Sequence, residues 1–206
     1  MPNSVRRRSA SSDCIACNLN EVGVVDLRGG APDEAKFVTL PKRAQNLVFA
    51  PKFSLGGGEQ RLVAALSPSQ VSLLDLEALA EGDQSNDVRE VPLTVSQADE
   101  VKNPEEAVFH VGTSGDDDNG DSSKQVSLYL LTEGGSDVTQ VSIKPSRQQD
   151  ADRKFDLSVN QLAAGENPSA MTVLDLPKVG TRLLTLDSRR PRFHLIDVES
   201  AEARAF

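Results

Sequence analysis

The sequence predicts an all-β chain. From Glu21 onward the apolar residues come in short runs of roughly four to eight, separated by Gly, Pro, Asn, Asp and Ser, which is how strands and turns are written. Valine is heavily used, and Val126, Leu128 and Leu130, or Val138, Val141 and Ile143, combine alternation with continuous apolar stretches; strands of that kind are buried on both faces. The 206 residues suffice for one domain or two small ones. Val, Leu, Ile and Phe make up about a quarter of them, above the range where disorder is the default.

Taken in order, the candidate strands cover 22–27, 36–40, 46–50, 61–66, 70–76, 88–94, 106–111, 125–131, 137–143, 155–159, 170–175, 181–187, 192–198 and 202–206. Only Leu76 to Glu81, rich in Leu, Glu and Ala, leans helical, and it reads as a single turn within a loop. Asn103-Pro104 and Asn167-Pro168 each stand before a first strand, where proline makes the entry turn rigid.

The strands repeat as modules. Val71-Ser72-Leu73-Leu74-Asp75-Leu76, Phe193-His194-Leu195-Ile196-Asp197-Val198 and Val22-Gly23-Val24-Val25-Asp26-Leu27 share an apolar run closed by Asp and one more apolar residue. Two of them follow a run opened by arginine, Arg61-Leu62-Val63-Ala64-Ala65-Leu66 and Arg182-Leu183-Leu184-Thr185-Leu186-Asp187, so each pair is a hairpin. In these features the chain resembles the YVTN-type family of β-propeller repeats, related in architecture to the WD repeats. The match is clearest over 165–206, through Gly165, Pro168, the strand Ala170 to Val173, Arg182 and Leu195-Ile196-Asp197. Residues 44–94 match more loosely and 104–159 by strand spacing; Leu184-Thr185-Leu186-Asp187 stands near the place of the family's Tyr-Val-Thr-Asn quartet.

At four strands per blade, the resemblance implies a β-propeller-like arc of about three and a half blades. The blades fall at 46–94, 106–159 and 170–206, after a two-strand half blade at 22–40. A ring usually needs about four to eight blades, so the expectation is an incomplete arc whose edges invite association. Residues 21–206 form the propeller-like domain, and residues 1–20 a loosely ordered tail whose first part holds Pro2, three arginines and several serines. After Arg6, Arg7 and Arg8 come Ser9 to Asp13 rather than an apolar stretch, so no signal peptide is read. A bacterial-envelope address stays open only if the chain begins upstream of Met1.

No run approaches the roughly 18 to 20 apolar residues of a membrane helix, so no membrane span is expected. The formal net charge of −9 argues against a nucleic-acid face, which needs clustered positive charge, and favours neutral or cationic partners. Cys14 and Cys17 form Cys-Ile-Ala-Cys, a spacing shared by redox pairs, half zinc sites and haem attachment. Position 18 is Asn rather than His, the histidines are distant, and Leu19 to Leu27 reads as extended. The pair is therefore read as ordinary thiols or an incidental disulfide, with a metal shared with another chain, or redox chemistry, as the alternative.

Asp116, Asp117, Asp118 and Asp121 supply enough carboxylate oxygen to interest calcium. An EF-hand register fails, because Ser122 falls where glycine belongs and Leu128 where a bidentate Glu belongs, so a solvated loop is preferred over a surface calcium site and no other cofactor is expected. Leu55-Gly56-Gly57-Gly58-Glu59 lacks the Lys-Ser or Lys-Thr of a phosphate loop and reads as a hairpin tip. His110 and His194 lie inside apolar strands and are read as structural, with no nucleophile elbow or third triad partner in view, and no catalytic residue is assigned. Asp26, Asp75 and Asp197 recur as fold residues do, and are expected to bond local backbone amides. Arg189, Arg190 and Arg192 form a basic hairpin tip able to grip an anion but more often merely solvated. With one Tyr and no Trp, the usual anchors for sugar stacking or a protein hot spot are missing.

The functional expectation is a non-enzymatic interaction scaffold that engages a protein partner or a completing propeller segment. The resemblance also implies an alternative, a metal-dependent lactonase-like or other propeller hydrolase with carboxylates converging in a central channel, the chain then being a fragment of a larger ring.

Overall fold

The structure, a computed structural model, describes residues 5–6, 13–18, 20–26, 35–55, 58–81, 89–91, 103–113, 124–132, 134–146 and 155–205. Its strands form four antiparallel four-stranded sheets in succession along the chain. The first holds β1 (Val5–Arg6), β2 (Asp13–Asn18), β3 (Glu21–Asp26) and β4 (Lys36–Thr39). The second holds β5 (Asn46–Phe49), β8 (Leu62–Ser67), β9 (Gln70–Asp75) and β10 (Arg89–Val91); a small hairpin, β6 (Phe53–Leu55) with β7 (Gly58–Gln60), is inserted after β5. The third runs β11 (Pro104–Thr113), β12 (Lys124–Thr132), β13 (Asp137–Pro145) and β14 (Phe155–Ala163). The fourth runs β15 (Pro168–Leu176), β16 (Gly180–Asp187), β17 (Phe193–Asp197) and β18 (Ala203–Ala205), and the one helix among the described residues is α1 (Leu76–Glu81).

The sheets stack face to face, and three apolar clusters mark the three junctions. Val22, Val24 and Val38 of the first sheet meet Val63, Ala65 and Leu74 of the second, with Leu76 and Leu79 of α1 beside them. On its other face the second sheet turns Leu62, Ala64, Leu66 and Leu73 onto Phe109, Val126, Leu128 and Val141 of the third. The third then meets the fourth through Leu131, Val138 and Leu162 against Met171, Leu183 and Ile196. Burial on two faces explains why every residue of β8 is buried, as is nearly every residue of β9. Successive side chains of a strand point to opposite faces, so a sheet with both faces covered must be apolar without interruption.

The outer sheets follow the other rule. In β16 the pairings Thr172↔Leu184↔Leu195 and Ala170↔Leu186↔Phe193 set one face of the fourth sheet, while Leu183 and Ile196 stand on the face toward the third. The first face is only partly covered, and Phe193 is 49% exposed. At the opposite end Gly23 pairs with Phe37, whose ring covers the glycine: a Cβ there would lie 2.8 Å from its Cε1. Phe37 is itself 60% exposed.

The Asp turns form as the repeat predicts. Asp75 Oδ1 accepts from the Glu77 and Ala78 amides at 3.1 and 3.4 Å and so caps α1. Asp197 Oδ1 accepts from the Glu199 and Ser200 amides at 3.0 and 3.2 Å. The arginine that opens each hairpin reaches the same corner: Arg182 Nη2 lies 2.8 Å from Asp197 Oδ2, and Arg61 Nε lies 3.0 Å from Glu77 Oε1. The Ser200 amide foremost, with the Glu199 amide and Arg182, holds the Asp197 carboxyl below its ordinary value, so its support of the fold is present above the usual carboxylate range and fades as pH falls through the lowered value. The side chain of Asp26, third in the series, lies outside the described residues. The Asn-Pro entries are equivalent as well, for Pro104 and Pro168 each open a first strand and are followed by a register shift, at Pro104/Glu106 and Pro168/Ala170.

The strand expectation is corrected at the start of the chain. Where two strands were expected over 22–40, the first sheet has four, because Val5–Arg6 and Asp13–Asn18, both within the stretch assigned to a tail, pair onto β3 through β2. The physical reason is that β2 needs only one partner edge, which β3 offers, and so forms on a sequence with little β propensity of its own. The count is therefore four full sheets rather than three and a half, and none of them closes on itself.

Double coverage makes a testable contrast. Leu128→Ala, fully buried between two sheets, should cost about 2–5 kcal/mol, whereas Thr172→Ala on the open face of the fourth sheet should change stability by less than about 0.5 kcal/mol; urea unfolding of both variants measures the difference.

Candidate functional site

The third sheet has two unlike faces. The face toward the second sheet is apolar along its length, from Phe109 through Val126, Leu128 and Val141 to Ile143. Toward the fourth sheet it is apolar only over half its length, at Val108, Leu131, Val138 and Leu162. Over the other half, register sets a row His110↔Ser127↔Ser142↔Ser158 across all four strands, and beside it a row Tyr129↔Gln140↔Asn160. The fourth sheet packs on the apolar half and stands off the polar one, leaving a cleft of about 510 Å³ walled on its far side by Thr181, Val198 and Glu199.

The floor of the cleft is a small polar network. Tyr129, 1% exposed, receives a hydrogen bond from Gln140 Nε2 at 3.5 Å and is also hydrogen-bonded to Ser127. Burial first, with the Asp175 charge adding to it, holds the phenol above its ordinary value, while the bonds to Ser127 and Gln140 pull the other way. At the mouth His110 Nε2 lies 2.9 Å from Asp175 Oδ1, which also accepts from Thr181 Oγ1 at 2.9 Å. Asp175 is a carboxylate reached from another sheet, the kind of partner the sequence did not reveal for His110. Gly112 keeps the imidazole edge clear, since a Cβ there would lie 2.8 Å from its Cε1. Ser127 stands directly opposite His110 in register, and His110 Nε2 is engaged by Asp175.

The other expected sites are not brought to this cleft. Asp116, Asp117, Asp118 and Asp121 lie outside the described residues, and among the described residues no group of three or more His, Cys, Asp or Glu is placed to hold a metal ion. His194 sits in β17 against Gly165, whose φ of +113° and whose missing Cβ, which would lie 2.7 Å from His194 Nε2, close that position to other residues. The basic tip is tied locally: Asp187 Oδ1 accepts from the Arg189 and Arg190 amides at 2.8 and 3.3 Å, and Arg190 lies 3.6 Å from Glu166. The glycine-rich stretch is a hairpin, with Leu55 paired to Gly58. No described helix is long and apolar enough to cross a membrane.

Cys14 and Cys17 both lie in β2, paired with Val25 and Val22. Three residues of extended strand set their α-carbons about 10 Å apart, beyond the roughly 7 Å that a disulfide spans. At that separation ordinary thiols fit the placement and a bridge between the two cysteines does not.

Sequence reasoning missed Asp175 and the polar rows. A signal was present, for Gln125, Ser127 and Tyr129, Gln140 and Ser142, and Ser158 and Asn160 recur at period two in strands whose alternate positions are Val, Leu or Ile.

Two measurements check this geometry. Tyr129 is the single tyrosine and there is no tryptophan, so tyrosinate absorbance reports on the cleft floor alone. The fold favours the neutral phenol, so its contribution is complete below the ordinary tyrosine value of about 10 and is lost as pH rises through the raised one; the native titration should lie above that of the urea-unfolded chain, and coincidence of the two would mean an open floor. Thiol titration of the denatured chain without reductant should find both cysteines free. In comparison with known proteins, the chain matches no family model and no curated protein.

Proposed function

We propose that the chain is a β-propeller-like arc of four blades that works as an interaction scaffold, its two end sheets receiving further sheets from a second copy of the chain. The observation that carries this reading is the location of exposed apolar surface. Among the described residues, the exposed large hydrophobics are Phe37 on the first sheet, Phe193 on the fourth and Val179 in the turn that joins β15 to β16. The open face of the fourth sheet adds Leu174, Leu184, Leu186 and Leu195, all half-buried, and no described element packs on it. Contiguous apolar surface of this kind marks interaction sites in soluble proteins.

The blade arrangement has its own support. The sheets are meanders in chain order, they pack face to face, and the first strand of the third sheet, β11, lies beside both β5 and β15, the first strands of its neighbours. First strands gathered together are what a shared axis requires. Two arcs of four blades would make eight, within the range of about four to eight that closed propellers use. In a two-fold pair each fourth sheet would cover the other copy's first sheet, forming two identical junctions.

Analytical ultracentrifugation over a concentration series tests the reading. The native chain should sediment as a dimer, and Leu184→Lys, which places a charge on the open face without touching the three internal clusters, should sediment as a monomer with an unfolding midpoint close to that of the native monomer. A native chain that is monomeric throughout, or a Leu184→Lys variant that dimerises as well as the native chain, would remove the basis of the proposal.

A further inference from the structure

We infer that the cleft between the third and fourth sheets binds a neutral, hydroxyl-rich small molecule of about the size of a sugar. This goes beyond the scaffold reading and rests on separate residues.

The first argument is the placement of polarity. The same strands that turn Val126, Leu128 and Val141 toward one neighbour turn Ser127, Gln140 and Ser142 toward the other. Had that half of the face been needed only for packing, it would have continued the apolar pattern of Leu131 and Val138, because hydroxyls and amides between packed sheets are costly unless they are paired. Instead the fourth sheet stands off where the polarity begins, and the gap it leaves is of the size that small-molecule sites have, about 300–1,000 Å³.

The second argument is which chemistry the lining excludes. No lysine or arginine is among the described residues that line the cleft, so a phosphate or carboxylate would find no countercharge. Apolar ligands find no platform, since the Tyr129 ring is buried in the floor and, among the described lining residues, Val198 is the one aliphatic side chain on this face, Val159 being turned with Val141 toward the second sheet. Of the carboxylates at the mouth, Asp175 is engaged by His110 and Thr181, and Glu199 is exposed in the turn after β17.

What remains is a grid of groups that both donate and accept. Serine hydroxyls do so from a single atom and Gln and Asn from the two ends of an amide, with Gln140 Nε2 already donating to Tyr129 and Asn160 Oδ1 already accepting from the Gln161 amide. Neighbouring strands set the serine row at intervals of about 4.8 Å, a spacing comparable to the span across a six-membered sugar ring. A polyol presents the same dual character on each carbon, and so can exchange its water partners for the grid without leaving a buried group unpaired.

The test is a titration of the isotopically labelled chain followed by NMR, with D-glucose and maltose as probes, inorganic phosphate and choline as the charged alternatives, and two variants. Expected is a saturable shift of the Gln125, Gln140 and Asn160 side-chain amides with at least one sugar. Asn160→Ala, an exposed position whose loss leaves the core intact, should weaken that binding about tenfold, and Ser142→Leu, which fills the cleft, should abolish it. If neither sugar shifts these amides saturably, if both variants bind as the native chain does, or if phosphate or choline displaces the sugar or binds in its place, the inference is wrong. Monomer and dimer can be titrated separately, so the result stands apart from the fate of the scaffold reading.

Discussion

Burial of both faces of the two middle sheets is the constraint on which the rest of the molecule depends. A four-stranded meander with one apolar face is marginal alone, because the backbone ordering of some thirty to forty residues must be offset by what a single face can remove from water. Stacking doubles the buried surface of each internal sheet, and it does so with residues that fit a pleated surface, such as Val63, Ala64, Leu74, Val126 and Val141. It also dictates the sequence, since an internal strand such as β8 has no position left for a solvent-facing residue. The turns must then be held by side chains that act locally, and Asp75 and Asp197 do so by binding the amides two and three residues ahead.

The same constraint explains where the structure departs from close packing. The third sheet has to satisfy two neighbours of different kinds, and it does so by keeping one face apolar throughout and dividing the other. Thr185, buried in the fourth sheet, donates to the Ala164 carbonyl at 2.9 Å, and Glu106 accepts from the Met171 amide at 3.0 Å, so the junction is fastened by polar contacts near its apolar half. The junction is thus closed over its apolar half and bridged again at the mouth of the cleft by the His110–Asp175 contact, with the serine row between them.

Much of the fold was legible because its signals are local. The apolar runs, the Asn-Pro entries and the Asp corners are written within a few residues of one another, and α1 is announced by Leu76 to Glu81 and its aspartate cap. The two strands at the start of the chain were not legible, since Asp13–Asn18 has few residues that favour a strand and owes its conformation to the free edge of β3. The short β6 and β7 flank a glycine tip that was recognised, but three residues are too few to show a period. The cleft lay beyond a single sequence for a different reason: His110 and Asp175 are 65 positions apart and belong to different sheets. Their meeting is decided by how two sheets stack, which no local pattern encodes.

Each sheet is made from one uninterrupted stretch of chain, with its strands in the order in which they are synthesised, apart from the small hairpin between β5 and β8. No sheet borrows a strand from another. A gene encoding such an assembly can be lengthened or shortened by a whole module in a single recombination event, because a removed or duplicated stretch takes all of its ladder hydrogen bonds with it and only the two neighbouring surfaces must be rematched. That freedom gives such an architecture a direct evolutionary route between stacks with different numbers of sheets.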